Sequence, residues 1–591
     1  MYHYTDFDRQ FVLNRADQYR DQLGRFLDGT LSNDEFLPLR LQNGWYVQRY
    51  APMLRVAVPY GELTSAQLRV LATIARDYDQ PSAEVYKTAS DTQGQLGTVN
   101  MPVGYGHFTT RQNVQFNWIP LDKSADVMDL LATVNMHGIQ TSGNCIRNVT
   151  SDERAGIAVD EVVDPRPFCE LLRQWSTLHP EYAFLPRKFK IAVSGALEDR
   201  AATQWHDVGL HVLRNEAGEI GFKVMVGGGM GRTPVIATTI RDFLPWQEIL
   251  NYIEAIVRVY NRWGRRDNKY KARIKILVKA EGQRYIDEVE TEYREIVELD
   301  GAPHTLTQAE LDRVSASFVP PTLAAPEQAA INTEAFNPTP KEAIEYARWL
   351  KQNVAPHKNP DLRAVTLSFK RLGQAPGDAT ADQLNTAADL VDRFSAGEVR
   401  VTHDQNLVLP WVAEAQLPAL WAAARAAGFA RSNIRLLTDM IACPGGDFCA
   451  LANARSIPIA ESITERYQDM DELHDLGEID LHISGCINSC GHQHSGHIGI
   501  LGVDKDGKEW YQISLGGSDG SALSGPSTPG KVVGPSFGAN EVPDVIEAVL
   551  DTYRQVRQSG EAFIDTLRRV GMDAFKLAAN QARHSAELEL A

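Results

Sequence analysis

Apolar and polar positions follow two different spacings along the chain, and together they divide it into strands and helices. Phe189–Ser194 and Gly221–Gly227 have the short apolar pattern of strands, whereas Leu244–Trp263 repeats its apolar residues at helical spacing. Sheets and helices distributed over several lobes are typical of an α+β protein with mixed α/β lobes. Residues 1–50 show no comparable pattern, so we expect them to form an N-terminal arm that wraps around the rest.

The two halves of the chain contain similar strand, helix, strand units. Thr109–Trp118 and Thr402–Trp411 share Thr, Gln-Asn and Trp at the same positions without a gap. A strand and a helix precede each of these segments. Chance similarity between two such units is the alternative, because short motifs recur easily. The sequence nevertheless favours an internal duplication.

Three stretches are expected to lie outside the regular elements. A Pro-rich segment between Phe318 and Pro340 has no sustained apolar period and predicts an extended linker between the halves. Gln80–Val103 is an insertion relative to the second half and is expected to form a surface loop. Gly516–Asn540, rich in Gly, Ser and Pro, predicts another long loop.

The charge of the chain limits the classes of partner. Its 59 Lys and Arg stand against 76 Asp and Glu, which gives a formal charge of −17 and opposes general nucleic-acid binding. No apolar stretch approaches the roughly 18 residues of a membrane span, and the first residues lack a secretory signal. We therefore expect a cytoplasmic protein without a nucleic-acid or membrane partner. Its length suggests about four folding units.

Four of the six cysteines form two close pairs, Cys443 with Cys449 and Cys486 with Cys490. Both pairs lie in glycine-containing loops, from which four thiolates could converge on one metal centre. Tetrahedral zinc prefers shorter spacing than that of the first pair, whereas iron–sulfur clusters tolerate varied spacing. The pattern favours a cluster and leaves zinc as the alternative. Cys145 and Cys169 stand alone and are expected to be packing residues.

The spacing C-x5-C followed by C-x3-C resembles the signature of the siroheme-dependent sulfite and nitrite reductases. Four further segments resemble motifs of that family in the expected order, over roughly residues 50 to 575: Thr109–Phe116, Ile146–Val149, Leu185–Lys190 and Val226–Gly229. Agreement of this length is not expected by chance. The resemblance implies two cofactors, siroheme and a 4Fe-4S cluster.

The same resemblance implies how the chain is divided. Two ferredoxin-like half-domains would accompany two larger domains that bind siroheme and the cluster. The expected boundaries are an arm at 1–50, half-domains at 51–125 and 343–428, a siroheme and substrate domain at 126–315, a linker at 316–342, and a cluster and siroheme domain at 429–580.

Roles for single residues also follow from the resemblance. Cys443, Cys449 and Cys486 would bind the cluster, and Cys490 would bridge it to the siroheme iron. The cations expected to hold the substrate anion are Arg55, Arg147, Lys188 and Lys190. Guanidinium groups offer paired donors to oxygen atoms, and ammonium groups can supply protons. A solvated surface position is the alternative for any single cation.

Polar residues of both repeats are expected to line the siroheme. Arg111, Gln115 and Asn117 occupy alternate positions of a predicted strand and would face one side. Gln405 and Asn406 are their counterparts in the second half, with ordinary solvation at a strand edge as the alternative. Gly228 and Gly229 belong to a glycine run that lacks the dinucleotide-binding pattern. They are expected to bring backbone amides close to siroheme carboxylates.

The activity implied by the resemblance is a six-electron reduction, of sulfite to sulfide in assimilation or of nitrite to ammonia. Relatives specialised for nitrite tend to carry Asn at the position of Lys190, so the lysine favours sulfite. A non-catalytic iron–sulfur electron carrier and a zinc-stabilised binding protein are alternatives from other classes. An absorption spectrum would distinguish the three.

The electrons are expected to come from a separate protein, because no dinucleotide-binding motif is visible. A ferredoxin or a flavoprotein could dock on a local basic surface. Arg258–Lys279 contains nine Lys and Arg and one acidic residue, Asp267, and is one candidate for that surface. The alternative is that this segment flanks the siroheme carboxylates. His492, His494 and His497 are expected to form hydrogen bonds near the cofactor rather than to bind metal.

Overall fold

The computed structural model describes residues 1–91, 102–322 and 336–589. Within these ranges the protein is mixed α+β and contains four sheets, which confirms the predicted fold class. One hydrophobic core is shared by the two half-domains, and two more lie under the larger sheets. None of the described helices combines the length and the apolar character that would be needed to cross a membrane.

The first 50 residues, expected to form an N-terminal arm, contain regular secondary structure. They contain helices α1 and α2 and strand β1, at Asp6–Leu27, Asn33–Gln42 and Trp45–Val47. Thr5 and Ser32 cap the two helices in reciprocal capping boxes with acidic residues three positions later. The hydroxyl group of Tyr19 in α1 lies 2.9 Å from that of Ser124, which fixes the helix on the first half-domain.

The first half-domain adds four strands and three helices. They are β2 at Pro52–Val56, β3 at Glu62–Thr64, α3 at Ser65–Asp77, α4 at Ala83–Asp91, β4 at Tyr105–Phe108, β5 at Val114–Phe116 and α5 at Ser124–Ala132. Helix α4 occupies part of Gln80–Val103, which was expected to be a surface loop. Residues 92–101 of that segment lie outside the described residues.

The first large domain is built on a five-stranded sheet of order β10-β9-β8-β7-β6. Its elements are β6 at Thr150–Ser151, α6 at Arg166–Ser176, β7 at Ile191–Ser194, β8 at Val208–Arg214, β9 at Ile220–Val226, β10 at Thr238–Pro245, α7 at Ile249–Trp263, α8 at Ile274–Glu281, α9 at Gln283–Glu298 and α10 at Gln308–Ser315. The helix predicted over Leu244–Trp263 begins later, because Leu244 and Pro245 end β10 and pair with β9.

The second half-domain repeats the first. Its elements are α11 at Pro340–Asn353, β11 at Val354–Pro356, β12 at Leu362–Leu367, β13 at Asp378–Thr380, α12 at Ala381–Phe394, β14 at Glu398–Val401, β15 at Leu407–Ala413 and α13 at Leu417–Ala426. Each half-domain lends one strand to the other, since the two sheets have the orders β1-β2-β5-β4-β13 and β11-β12-β15-β14-β3. Residues 323–335 of the expected linker are outside the described residues.

The last domain has the same strand arrangement as the first large domain. Its elements are β16 at Ile441–Ala442, α14 at Ile457–Arg466, α15 at Met470–Leu476, β17 at Leu481–Ser484, β18 at Ile498–Lys505, β19 at Lys508–Leu515, β20 at Lys531–Val532, β21 at Phe537–Gly538, α16 at Val542–Val556, α17 at Phe563–Val570 and α18 at Asp573–Glu589. In both domains the first three strands are parallel and the following ones antiparallel. The stretch 516–540, expected to be a loop, contains β20 and β21.

Two glutamines show the duplication at the level of single hydrogen bonds. Gln112 and Gln405 both have left-handed backbone conformations, with φ of 58° and 62°. Gln112 Nε2 donates to the carbonyl of Val401 in the other half, and Gln405 Nε2 donates to that of Phe108. Their Oε1 atoms accept from the backbone N–H of Ser151 and Ala442, in the equivalent strands β6 and β16. The predicted internal duplication is therefore present in the fold.

Candidate active site

A cavity of about 730 Å³, including its open mouth, lies where the half-domains meet the two large domains. We call it the cationic cavity. Strand β2, the turn before β5, the loop after α5 and the segment before β7 each contribute side chains to its wall. Residues far apart in the sequence therefore converge, among them the following candidates: Arg55, Arg111, Gln115, Arg147, Lys188, Lys190, Gln405, Cys443 and Cys490.

The two arginines expected to hold the substrate anion are fixed by hydrogen bonds to the wall. The guanidinium group of Arg55 donates to Gln115 Oε1 at 3.0 Å and to the Thr141 carbonyl at 3.3 Å. That of Arg147 donates to the same carbonyl at 2.6 Å and to the Gly143 carbonyl at 2.7 Å. Neither has a carboxylate partner among the described residues, so both retain their charge for an anion in the cavity.

The charge of the cavity is strongly one-sided. Five cations line it, and none of its described lining residues is Asp or Glu. Burial, followed by repulsion from neighbouring cations, lowers the pKa of Lys190 well below its ordinary value. Burial likewise lowers the pKa of Lys188 to about 8 and that of Arg111 to about 9. An anion bound here would raise these pKa values towards their ordinary values, because it would favour the charged forms.

Arg111 has one buried guanidinium nitrogen without a hydrogen-bond partner in the wall. Its Nη2 donates to the Asn148 carbonyl at 2.6 Å, whereas its buried Nη1 has no partner among the described residues. A buried guanidinium nitrogen without a partner is costly. The cavity is thus suited to a ligand with several acceptor oxygens.

Two of the four paired cysteines, Cys443 and Cys490, line this cavity. Burial raises the pKa of Cys443, Cys449 and Cys486, and electrostatic interaction with Cys490 raises each of these pKa values further. Such mutual influence places the four thiols close together. Gly491 allows the second loop to fold tightly, because a Cβ there would lie 1.9 Å from the Ile483 carbonyl. Among the described residues, no three His, Cys, Asp or Glu side chains are arranged to hold a single metal ion.

The remaining candidate siroheme residues are not all at the cavity. Of Arg111, Gln115 and Asn117, only Gln115 lies in β5, because the chain turns at Gln112 and the strand covers only Val114–Phe116. Asn117 lies behind the wall, where its Oδ1 accepts from Gln115 Nε2 at 2.9 Å. Asn406 points away and donates to Asp439 in a buried network.

The glycine run lies beside the cavity but is not part of its wall. At Gly228 a Cβ would lie 2.3 Å from the Gln204 carbonyl, so close packing requires glycine there. Lys275 donates to the Gly229 carbonyl at 3.3 Å and to the Met230 carbonyl. The run therefore binds a lysine through its carbonyl groups in this structure.

Several wall residues were not anticipated from the sequence. Thr110 Oγ1 donates to the Cys490 carbonyl at 2.9 Å and so joins the first half-domain to the cysteine loop. His107 donates from Nδ1 to Asp378 at 2.7 Å, across the exchanged strand β13. Asn148 fixes the loop through Asn113 and Val58. Thr110 belongs to the repeated segment, which was the one signal that could have identified it.

The three histidines after Cys490 and the two single cysteines have different surroundings. His492 lines the cavity, His494 lies 2.9 Å from the Gly231 carbonyl, and His497 lies 3.0 Å from the Ser524 hydroxyl. Cys169 is fully buried in the core of the first large domain. Cys145 lines a separate, mostly apolar cavity next to the loop that carries Arg147.

Four of the nine cations of Arg258–Lys279 form ion pairs within the protein. Arg258 and Arg262 pair with acidic residues of their own domain, including Glu292. Arg273 pairs with the buried Asp207 at 2.7 Å. The exposed lysines of the segment, for which no ion pair occurs among the described residues, are Lys269, Lys271 and Lys279. The surface available to an acidic partner is therefore smaller than the sequence indicated.

Comparison with known proteins identifies the class of protein to which this site belongs. The family model described as the nitrite and sulphite reductase 4Fe-4S domain matches residues 142–296 and 435–585. The model described as the nitrite/sulfite reductase ferredoxin-like half domain matches residues 364–427. The first model alone covers more than half of the chain. The chain therefore belongs to the nitrite and sulphite reductase family and is an oxidoreductase.

Some of the relatives are named nitrite reductases and others are named sulfite reductases. An assimilatory ferredoxin-dependent nitrite reductase of Haloferax mediterranei is 27% identical over 536 residues, covering 88% of this chain and 82% of the relative. A sulfite reductase [ferredoxin] of Mycobacterium tuberculosis is 27% identical over 560 residues, covering 92% and 86%. The solved structure of the Mycobacterium tuberculosis NirA protein has the same fold, with a TM-score of 0.70 and 24% identity over 92% of both chains.

The cofactors of this family are siroheme and a 4Fe-4S cluster, as the sequence predicted, and the residues present fit both. Four mutually close thiols form the donor set of a cluster. Five cations and the unpartnered Nη1 of Arg111 suit a macrocycle that carries many carboxylates. The 4Fe-4S domain match favours the cluster over the zinc alternative.

Proposed function

We propose that the protein is an assimilatory sulfite reductase that converts sulfite to sulfide. The observation that carries this proposal is that Lys190 lies in the cationic cavity together with Lys188, Arg55 and Arg147. Sulfite bears more negative charge than nitrite, so each additional cation favours sulfite. The balanced reaction takes up six electrons and eight protons per sulfite and yields hydrogen sulfide and three waters.

In this proposal the cysteines and the cations have separate roles. Cys443, Cys449 and Cys486 would bind the cluster, and Cys490 would join it to siroheme. The two cofactors, when bound, supply electrons to the substrate. Arg55 and Arg147 bind the oxygen atoms of the anion with donors that the loop carbonyls already orient. Arg111, Gln115 and Gln405 line the same cavity and would hold siroheme.

The two lysines are suited to deliver protons. A proton donor works best when its pKa lies near the working pH. Burial lowers the pKa of Lys188 to about 8, so its Nζ can give up a proton near neutral pH. The Lys190 Nζ lies on the same wall and can replace or assist it. Each oxygen that leaves as water requires two protons, which these groups can pass from solvent.

Reduction of nitrite to ammonia is the second candidate. It is supported by relatives named nitrite reductase, whose identity to this chain equals that of relatives named sulfite reductase. Both candidates require an external electron donor. The names of these relatives favour ferredoxin, with a separate flavoprotein as the alternative.

Steady-state kinetics with reduced methyl viologen tests the proposal. We expect consumption of sulfite with formation of sulfide, and a larger kcat/KM for sulfite than for nitrite. A larger kcat/KM for nitrite would support the second candidate. Absence of turnover with both anions, in protein that contains both cofactors, would contradict both candidates.

A further inference from the structure

A second cavity, of about 1000 Å³ including its open mouth, occupies the position in the duplicated fold that corresponds to the cationic cavity. It is lined by the repeated segment of the second half-domain, by the start of β17 and by loops of the first large domain. We call it the acidic cavity, after its described lining residues Glu153, Asp404, Asp480 and Asp519. Nothing in the proposed sulfite reduction uses it.

The equivalence of the two cavities follows from hydrogen bonds and strand register. Thr109 N donates to the Asn113 carbonyl, and Thr402 N donates to the Asn406 carbonyl. Arg111 lies two residues after Thr109, and Asp404 lies two residues after Thr402. Arg111 is therefore equivalent to Asp404. Thr150 pairs with Ala192 in one sheet, and Ile441 pairs with His482 in the other. Lys190 lies two residues before Ala192, and Asp480 lies two residues before His482. Lys190 is therefore equivalent to Asp480.

The charge of the wall is thus inverted between the copies. Asp404 stands where the first copy has Arg111, and Asp480 stands where it has Lys190. Two cations that would attract carboxylates are replaced by two carboxylates, which repel them. The acidic cavity is therefore unsuited to the polycarboxylate siroheme.

Two buried histidines give an independent sign of a ligand. His206 and His482 are 4% and 7% exposed and line the acidic cavity. Their Nδ1 atoms lie 2.8 Å from the Ala202 carbonyl and 3.1 Å from the His492 carbonyl, so each Nδ1 carries its hydrogen. Neither Nε2 has a partner among the described residues. In the neutral ring each Nε2 is an unpaired acceptor aimed at the cavity.

The cations of the wall do not balance its carboxylates. Arg200 is already matched by three acidic residues of its own domain. Arg154 and Arg435 then face the four carboxylates that name the cavity. Burial raises the pKa of Asp480 to about 7 and also raises that of Glu153. Such shifts are expected where buried carboxylates lack cations.

We propose that the acidic cavity binds a small organic polyamine cation. Its ammonium groups would donate to the carboxylates of Asp404 and Asp480 and to Nε2 of His206 and His482. The ligand is expected to be rich in N–H donors, because the four carboxylates and two Nε2 acceptors of the wall outnumber its two arginines without an ion pair among the described residues, Arg154 and Arg435. A single metal ion is a poorer fit, since no three described ligand side chains are arranged around one point.

Isothermal titration calorimetry of the purified holoenzyme with spermidine tests this binding. We expect saturable binding of one spermidine per chain. Asp404→Asn should weaken it about ten-fold or more, because a carboxylate that faces a bound ammonium is lost. The matched control is Asp471→Asn, an exposed aspartate outside the cavity, which should leave affinity unchanged. Absence of binding, or equal weakening by both variants, would overturn the proposal.

A second measurement locates the site without a variant. Hydrogen–deuterium exchange of the wild-type holoenzyme should slow in Thr402–Gln405 and Leu481–Ser484 when spermidine is added. Protection confined to other segments, or equal protection by Mg²⁺ at the same charge concentration, would indicate unspecific surface association. Either result would contradict a polyamine site in the acidic cavity.

Discussion

Cys490 and Arg200 lie at equivalent positions of the two copies of the fold, each six residues after the last residue of the second parallel strand. Arg200 forms an ion pair with Asp152 at 2.7 Å. Asp152 directly follows β6, just as Cys443 directly follows β16. Two thiols that face the cationic cavity in one copy are thus replaced by an ion pair in the other. We therefore expect a single cluster per chain.

Replacing Cys490 by Ser should abolish reduction of both sulfite and nitrite. A hydroxyl group is a poor ligand for iron, and the proposed link between cluster and siroheme would be lost. Viologen-driven turnover and iron content measure the effect. Cys145→Ser is the matched control and should keep its iron, because Cys145 lines a different cavity. Normal turnover of Cys490→Ser, or loss of iron from the control, would refute the ligand assignment.

Lys190→Asn should lower kcat/KM for sulfite more than for nitrite. The substitution removes one of the five cations of the wall, and the more highly charged anion depends more on each of them. A difference of about ten-fold between the two substrates corresponds to about 1.4 kcal/mol. Lys279→Asn, at an exposed position, is the control. Equal losses for both anions would remove the argument for sulfite.

The pH dependence of sulfite reduction should reflect Lys188. Burial lowers its pKa to about 8 from the ordinary value of 10.5, and the carboxylates of bound siroheme would raise it again. Since the charged form binds the anion and donates the proton, kcat/KM should fall as the pH rises from 8 towards 10.5. In Lys188→Arg the charge persists to high pH, so this fall should disappear. An unchanged pH profile in that variant would assign the titration to another group.

Some of the fold and much of the site could be predicted from local sequence. The repeat around Gln112 and Gln405 and the cysteine spacing are local patterns, and the structure places them as a duplicated fold and a group of close thiols. The apolar spacing of residues 1–50 is too weak to predict the two helices there. Their capping boxes, Thr5 with Asp8 and Ser32 with Glu35, are the stronger local signal.

Other features of the structure could not be predicted from local sequence patterns. Arg258 and Arg262 look like a basic surface until Glu292 of α9 is brought against them. Asn406 belongs to the repeated segment, yet the duplication turns it toward Asp439 in the second copy. Both outcomes depend on partners remote in the sequence, so spacing alone does not predict them.

The remaining exposed lysines of that segment provide a test of the donor. Turnover with a reduced acidic ferredoxin should weaken as salt rises, because attraction between charged surfaces is screened within about 8 Å at physiological ionic strength. Lys271→Glu should slow turnover with ferredoxin and leave turnover with methyl viologen unchanged. If the chain alone oxidises NADPH and reduces sulfite at a full rate, no separate donor is needed and this prediction is wrong.

The absorption spectrum of the purified protein, recorded with and without sulfite and combined with an iron determination, tests the central claim most directly. A siroheme and one 4Fe-4S cluster predict a chlorin-type spectrum that changes on addition of sulfite, with about five irons per chain. A broad charge-transfer absorption alone, with about four irons and no response to sulfite, would contradict the account. So would a colourless protein that contains zinc.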